Sequence, residues 1–194
     1  MSLKVLYFDI ETTGLEAKEH DIIHLAMIAE VNGKVVGEHE FRMRPTRFDN
    51  INPEALAANG FTVEELKVLP PQEEVFPEII ATLDRYIDKY NKADKFTPAG
   101  YNIRFDEAFL SELFKRNKND YIGSYLNWHD LDLLYVMFLY EFLGHHKLPN
   151  YKLETVAAYY GVKHAPHDAL SDVRAVRELV HKFLFQSVNW TLHK

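Results

Sequence analysis

Val5-Leu6-Tyr7-Phe8-Asp9-Ile10-Glu11-Thr12-Thr13-Gly14-Leu15 is an apolar run that ends in two acids and then breaks into a glycine-containing loop. Side chains at i and i+2 of an extended strand point the same way. Asp9 and Glu11 therefore leave one face of a buried strand together, at the place where that strand runs out. Two carboxylates so placed repel each other unless a positive charge lies between them, and a divalent cation is the usual one. A solvent-facing pair on an edge strand would look the same in isolation, so the rest of the chain has to decide.

Downstream, Ile22 to Glu30 and Lys34 to Met43 are extended runs flanking Asn32-Gly33, a strong hairpin signal. Residues 45–53 read as loop. Pro53 opens a short helix through Ala58 that Asn59-Gly60 stops, and Thr62 caps another short turn. Val75, Ile79, Leu83, Tyr86 and Ile87 recur at helical spacing over about 73–90. Phe96 to Tyr101 reads as a strand, followed by a helix from Asp106 with Phe109, Leu110, Leu113 and Phe114 on one side. Leu131 to Leu143 and Leu153 to Tyr160 read as helices. A last helix starts near Asp168 and runs to about Phe185, with Leu170, Val173, Val176 and Val180 inward. Strands that open the chain and then alternate with helices describe one α/β domain over 1–194.

A chain of 194 residues can bury a substantial core, and 47% apolar with 26% charged residues is an ordinary globular balance. Absence of cysteine excludes disulfides and thiolate metal sites and fits a reducing compartment. Acids arrive by Asp9, too early for a signal-peptide core, and Leu133 to Tyr140 is too short to span a bilayer, so no membrane partner is expected and the chain reads as cytoplasmic. A net charge of −7 argues against coating duplex nucleic acid by charge alone. It leaves room for an enzyme that meets one phosphate at a time through metal ions.

Two further acid clusters join the first. Asn102-Ile103-Arg104-Phe105-Asp106 places Asp106 at a helix start just after a strand. His167-Asp168-Ala169-Leu170-Ser171-Asp172 opens the last helix, with Asp168 as its cap and Asp172 one turn further on the same side. Taken singly, Asp106 reads as a helix cap, Asp172 as a solvated helix residue, His167 as a surface or core histidine and Phe105 as a packing anchor. Their order, with each acid at a strand end or helix start, is what argues for a shared site.

Phe8 to Leu15 resembles the first motif of the DEDD superfamily of DnaQ-like 3′–5′ exonucleases. Asn102 to Asp106 resembles the second motif, and His167 through Asp172 the third in its histidine form. That form marks the DEDDh group, which includes the proofreading epsilon subunit of bacterial DNA polymerase III and ribonuclease T. Asn52-Pro53-Glu54-Ala55, Gly60-Phe61-Thr62, Asp132-Leu133-Leu134 and Lys152-Leu153-Glu154 also resemble family segments. The resemblance implies a ribonuclease H-like mixed β-sheet flanked by α-helices. It also implies hydrolysis of a 3′-terminal phosphodiester with two Mg²⁺ or Mn²⁺ ions held by Asp9, Glu11, Asp106 and Asp172. His167 would be the general base, in preference to His164, whose spacing to Asp172 departs from the motif. Hard divalent ions do prefer carboxylate oxygens, and a histidine can take a proton near neutral pH.

By the same resemblance the backbone near Thr12, Thr13 and Gly14 meets the 3′ terminus and Leu15 wedges against terminal bases. Asn102 and Arg104 could touch phosphate or equally bind backbone or solvent, and Asn102 and Phe105 are the substrate contacts expected from the second motif. Core packing is the competing reading of Leu15. Lys115-Arg116 with Lys118, and Arg42 with Arg44 and Arg47, could guide a strand but read more simply as solvated faces. Single-stranded 3′ ends are the expected substrate. The double threonine after Glu11 resembles the proofreading branch, which favours DNA over an exoribonuclease role. A silent nucleic-acid-binding module and a hydrolase of small nucleotides are the remaining alternatives, and a polymerase partner and a homodimer both stay open.

Overall fold

The computed structural model describes residues 3–165 and 168–191, with side chains described through Phe183. Strand β1 (Lys4–Thr12) lies at the centre of a five-stranded mixed sheet of order β3-β2-β1-β4-β5. β2 (Ile22–Val31) and β3 (Lys34–Arg42) continue it as an antiparallel meander, while β4 (Thr97–Gly100) and β5 (Leu131–Asp132) run parallel on the other side. Asn32 and Gly33 both take positive φ, 51° and 79°, as a two-residue turn matching strand twist requires.

Alternation along β1 divides the molecule into two layers. Leu6, Phe8 and Ile10 face one core, shared with Val75, Phe76, Ile79 and Leu83 of α3 (Gln72–Asp84) and Phe109, Leu110, Leu113 and Phe114 of α4 (Ile103–Arg116). Val5 and Tyr7 face the other. That core takes in Leu133 and Met137 of α5 (Leu133–Phe142), Val156 and Ala157 of α6 (Leu153–Tyr159), and Val173, Val176 and Val180 of α7 (Ala169–Thr191). The period of two that puts Val5 and Tyr7 on the α7 side also puts Asp9 and Glu11 there. Glu30, buried on β2, ties α7 down by accepting from Arg177 Nε at 2.6 Å and pairing with His181 Nε2 at 2.8 Å.

A satellite core under α1 (Pro53–Asn59) and α2 (Val63–Val68) is built on Ile23, Leu56 and Leu66. Asn52 caps α1, and Thr62 with Glu65 forms a reciprocal capping box on α2. Register between β1 and β2 slips at Glu11/Thr12: Glu11 faces His24, but Thr12 faces Ile22. Ile23 is thus the extra residue of a bulge beside the end of β1.

Four sequence expectations need correction. α3 ends at Asp84, not near residue 90, because the chain turns after Arg85. α4 begins at Ile103, three residues before Asp106, since Asn102 adopts φ 60° and turns the strand directly into the helix. Leu131 to Leu143 is not all helix: Leu131–Asp132 pairs with β4, and the Asp132 carboxylate then caps α5 by accepting from the Leu134 N–H at 3.0 Å. α7 passes Phe185 and reaches Thr191, consistent with a segment holding neither glycine nor proline to stop it. The cap assigned to Asp168 is present, its Oδ1 accepting from Leu170 and Ser171 N–H groups.

Candidate active site

The end of β1, the first turn of α4 and the first turn of α7 meet at one edge of the sheet. Asp106 is not a cap. It is 4% exposed and turns inward, its Oδ1 accepting the Ile10 N–H of β1 at 3.1 Å between the two outer acids. Asp172 approaches from the other layer, one turn into α7, with its N–H donating to Asp168 O at 2.9 Å. A carboxylate near a helix N-terminus is favoured by the unsatisfied N–H groups there.

Proximity of these acids appears in their proton affinities. Burial first, then the charges of Asp106, Asp172 and Glu11, hold Asp9 well above the usual carboxylate range. Burial and Asp172 push Glu11 up to about 7. Asp106 is raised by burial, against the opposing hydrogen bond from Ile10, and further by Asp132 and Glu11. Such mutual frustration marks a functional cluster more often than a structural one.

Around the acids lies a supporting shell. Asp132 Oδ1 accepts the Asn102 N–H at 2.9 Å, fixing the turn that aims Asp106, and its Oδ2 is buried without a hydrogen-bond partner among the described residues. His24, opposite Glu11 across the sheet, is buried and paired with Glu40 at 3.0 Å. His164 Nε2 lies 2.5 Å from Asp172 Oδ1. His167, the expected general base, lies outside the described residues. Sequence reasoning assigned no part to His24 or Glu40, because strand register, not local pattern, brings them here.

The loop after Glu11 is firmly built. Thr12 donates its hydroxyl to Gly14 O at 2.6 Å, and Asn59 Nδ2 donates to Thr12 O at 3.0 Å. Thr13 is fully buried, its hydroxyl accepting the Asp21 N–H at 2.9 Å, so its side chain serves the loop itself. A Cβ on Gly14 would lie 2.1 Å from the His20 ring. Leu15 is 72% exposed, which removes core packing as its explanation. Phe105 packs against Phe109 with ring centroids 4.9 Å apart and planes tilted by 48°, as a packing anchor beside Asp106, and Asn102 and Arg104 are exposed, Arg104 near Asp130 at 3.6 Å.

Two arginines read as part of solvated faces are only partly solvated and both are engaged. Arg116 and Arg47 converge on Asp21, whose side chain is fully buried. Arg116 Nη2 donates to Ala17 O at 2.6 Å and Arg47 Nη2 to His20 O at 2.6 Å, so both grip the loop behind Leu15. A separation of 95 residues between Asp21 and Arg116 hid the contact from local pattern.

Every raised acid in the cluster offers only carboxylate oxygen, the donor set of a hard divalent cation. Among the described residues no three acid or histidine side chains already close into a finished metal cage. The crowding of like charge and the unpartnered Asp132 oxygen fit a cation all the same.

Comparison with known proteins agrees with this arrangement. The exonuclease family model (RNase_T) matches residues 6–180. Ribonuclease T of Actinobacillus pleuropneumoniae serotype 5b (strain L20) is 30% identical over 114 residues, 56% of this chain and 52% of that protein. The PolC-type DNA polymerase III of Thermotoga maritima is 27% identical over 179 residues, 91% of this chain but 11% of the polymerase. Escherichia coli exonuclease I in complex with a dT13 oligonucleotide superposes with a TM-score of 0.76 at 25% identity, over 92% of this chain and 40% of that one. The chain thus spans about half of ribonuclease T and a smaller part of the other two. Its ribonuclease H-like sheet is that of exonuclease I, and divalent-metal dependence is a property of the family. With the model covering both β1 and the start of α7, this chain belongs to the exonuclease family.

Proposed function

We propose that the chain is a single exonuclease domain that removes nucleoside 5′-monophosphates from single-stranded DNA 3′ ends. One observation carries the reading: four acids from three distant stretches converge beside a rigid loop that presents an exposed Leu15. Asp9, Glu11, Asp106 and Asp172 would hold two Mg²⁺ or Mn²⁺ ions. Bound there, the ions would supply an activated water and neutralise charge at the scissile phosphate. His167 takes the proton of the attacking water on its imidazole. Backbone at Thr12 and Gly14 receives the terminal sugar, Leu15 parts the last bases, and Asn102 and Phe105 border the strand.

DNA is favoured because the PolC-type polymerase aligns with 91% of this chain and ribonuclease T with 56%. Similarity to ribonuclease T supports trimming of RNA 3′ ends as the second reading. Absence of cysteine suits work in the reducing cytoplasm. No helix among the described residues is long and apolar enough to cross a membrane.

A 5′-labelled single-stranded oligonucleotide is expected to shorten stepwise from its 3′ end with Mg²⁺ or Mn²⁺ and to stay intact with chelator. Internal cuts, or digestion without metal, would refute the reading. DNA and RNA of one sequence at equal concentration separate the two substrates.

Cation binding is expected to depend on pH in a definite sense. Glu11 binds a proton more tightly folded, at about 7, than at its ordinary 4.5. Without metal, its contribution to stability falls as pH rises from about 4.5 to about 7. A cation needs the ionised acids, so Mg²⁺ should raise the melting temperature more at pH 8 than at pH 5.5. At a hundred times its Kd the gain is about 2.7 kcal/mol, or roughly 5–10 °C for a domain of this size. Equal shifts at the two pH values in a thermal melt would count against metal binding by these acids.

A further inference from the structure

α5 is apolar on two sides. Leu133, Val136, Met137 and Tyr140 form the stripe that packs into the α7-side core. Tyr135, Phe138, Leu139, Phe142 and Leu143 form a second stripe at the same i, i+3, i+4, i+7 spacing, and these residues are between 46% and 87% exposed. A surface helix of a domain that stands alone carries polar residues there. Apart from the Tyr135 hydroxyl this face is uncharged and apolar. The helix's lone charge, Glu141, accepts a hydrogen bond from the Tyr151 hydroxyl.

We propose that this stripe is the contact between two copies of the chain, packed helix against helix about a two-fold axis. Three observations select a second copy. Five neighbouring large apolar residues, each about half exposed or more, make a contiguous patch on the order of 300–600 Å², the size that marks a functional surface, and two such patches face to face approach the low end of the interface range. Two copies of a chain carrying −7 repel, and a helix face without a charged side chain is where that repulsion is small. A stripe with this spacing is also self-complementary: in an antiparallel pair each large side chain near one end meets a counterpart near the other, the reciprocity a two-fold interface demands. Nucleic acid is a poor fit, since no Lys or Arg lies within α5 to meet phosphate.

Sedimentation of the full chain over a wide concentration range tests the proposal. A reversible dimer is expected, with Phe142→Glu and Leu139→Lys each weakening it by at least about tenfold, or ~1.4 kcal/mol. Both positions are exposed, so far-UV circular dichroism and 3′-end digestion by the separated monomers should match the parent, which keeps this test independent of the proposed activity. A parent monomeric at every concentration would overturn the proposal, as would a dimer indifferent to both substitutions. So would a monomer that uses this stripe to bind lipid vesicles.

Discussion

Asp9→Asn is expected to cut 3′-end hydrolysis by roughly a thousandfold or more, the equivalent of about 4 kcal/mol of lost transition-state stabilisation, while leaving the metal-free protein more stable than the parent. The two effects share one cause. Burial and the charges of Asp106, Asp172 and Glu11 all oppose ionisation of Asp9. A neutral amide of the same shape removes that opposition and raises the melting temperature without metal. It also removes a carboxylate oxygen proposed to hold the ions, so added Mg²⁺ should lose most of its stabilising effect. Melting curves with and without Mg²⁺, beside single-turnover digestion, read all three consequences. An inactive variant that is also less stable would mean that Asp9 holds the fold and not a cation. Functional sites commonly cost stability in this way.

Asp21→Ala is the second large effect. Asp21 accepts from the Thr46 N–H at 2.7 Å and the Arg47 N–H at 2.9 Å, and meets the guanidinium groups of Arg47 and Arg116. Removing its carboxylate leaves two cations facing each other and two amides without acceptors. Breaking a buried pair costs on the order of 3–5 kcal/mol; because Arg47 and Arg116 keep 29% and 25% of their surface in water, about 3 kcal/mol is expected here. That corresponds to a fall of roughly 6–12 °C in melting temperature for a domain of this size. Arg116→Lys keeps the charge but loses the fork that also grips Ala17 and His20. It should cost less stability and show mainly as weaker substrate binding, a raised KM with kcat near the parent value. Unchanged KM would mean that the clamp serves the fold alone.

Much of this was legible in the amino-acid sequence. Asp9 and Glu11 declare themselves because a period of two after an apolar run leaves only one side for both, and Asn32-Gly33 fixes the hairpin that places β2 beside them. The last helix and its Asp168 cap were equally plain. Less was visible where geometry depends on distant chain. Asp106, joined to the site by the order of the motifs, looked like a cap when taken singly, because local pattern cannot show that Asn102 turns left-handed and starts α4 early. β5 is two residues long, below any periodic signal. The Asp21 clamp joins residues far apart in the chain. α5 reads as apolar all round, so its sequence gives helix but not which side faces inward.

The slipped pairing beside Glu11 gives β2 a hold over the loop beyond the acids it flanks. Ile23, the surplus residue, is wholly enclosed between Leu56 and Leu66, and its carbonyl accepts the Met43 N–H at 3.0 Å. Shortening β2 by that one residue would bring Thr12 back into even step with the hairpin and swing the segment bearing Leu15 to a new heading, with Asp9 and Glu11 left in place. The direction from which a strand end arrives is thus set separately from the acids that await it, and can be retuned by an indel in a strand that supplies none of them.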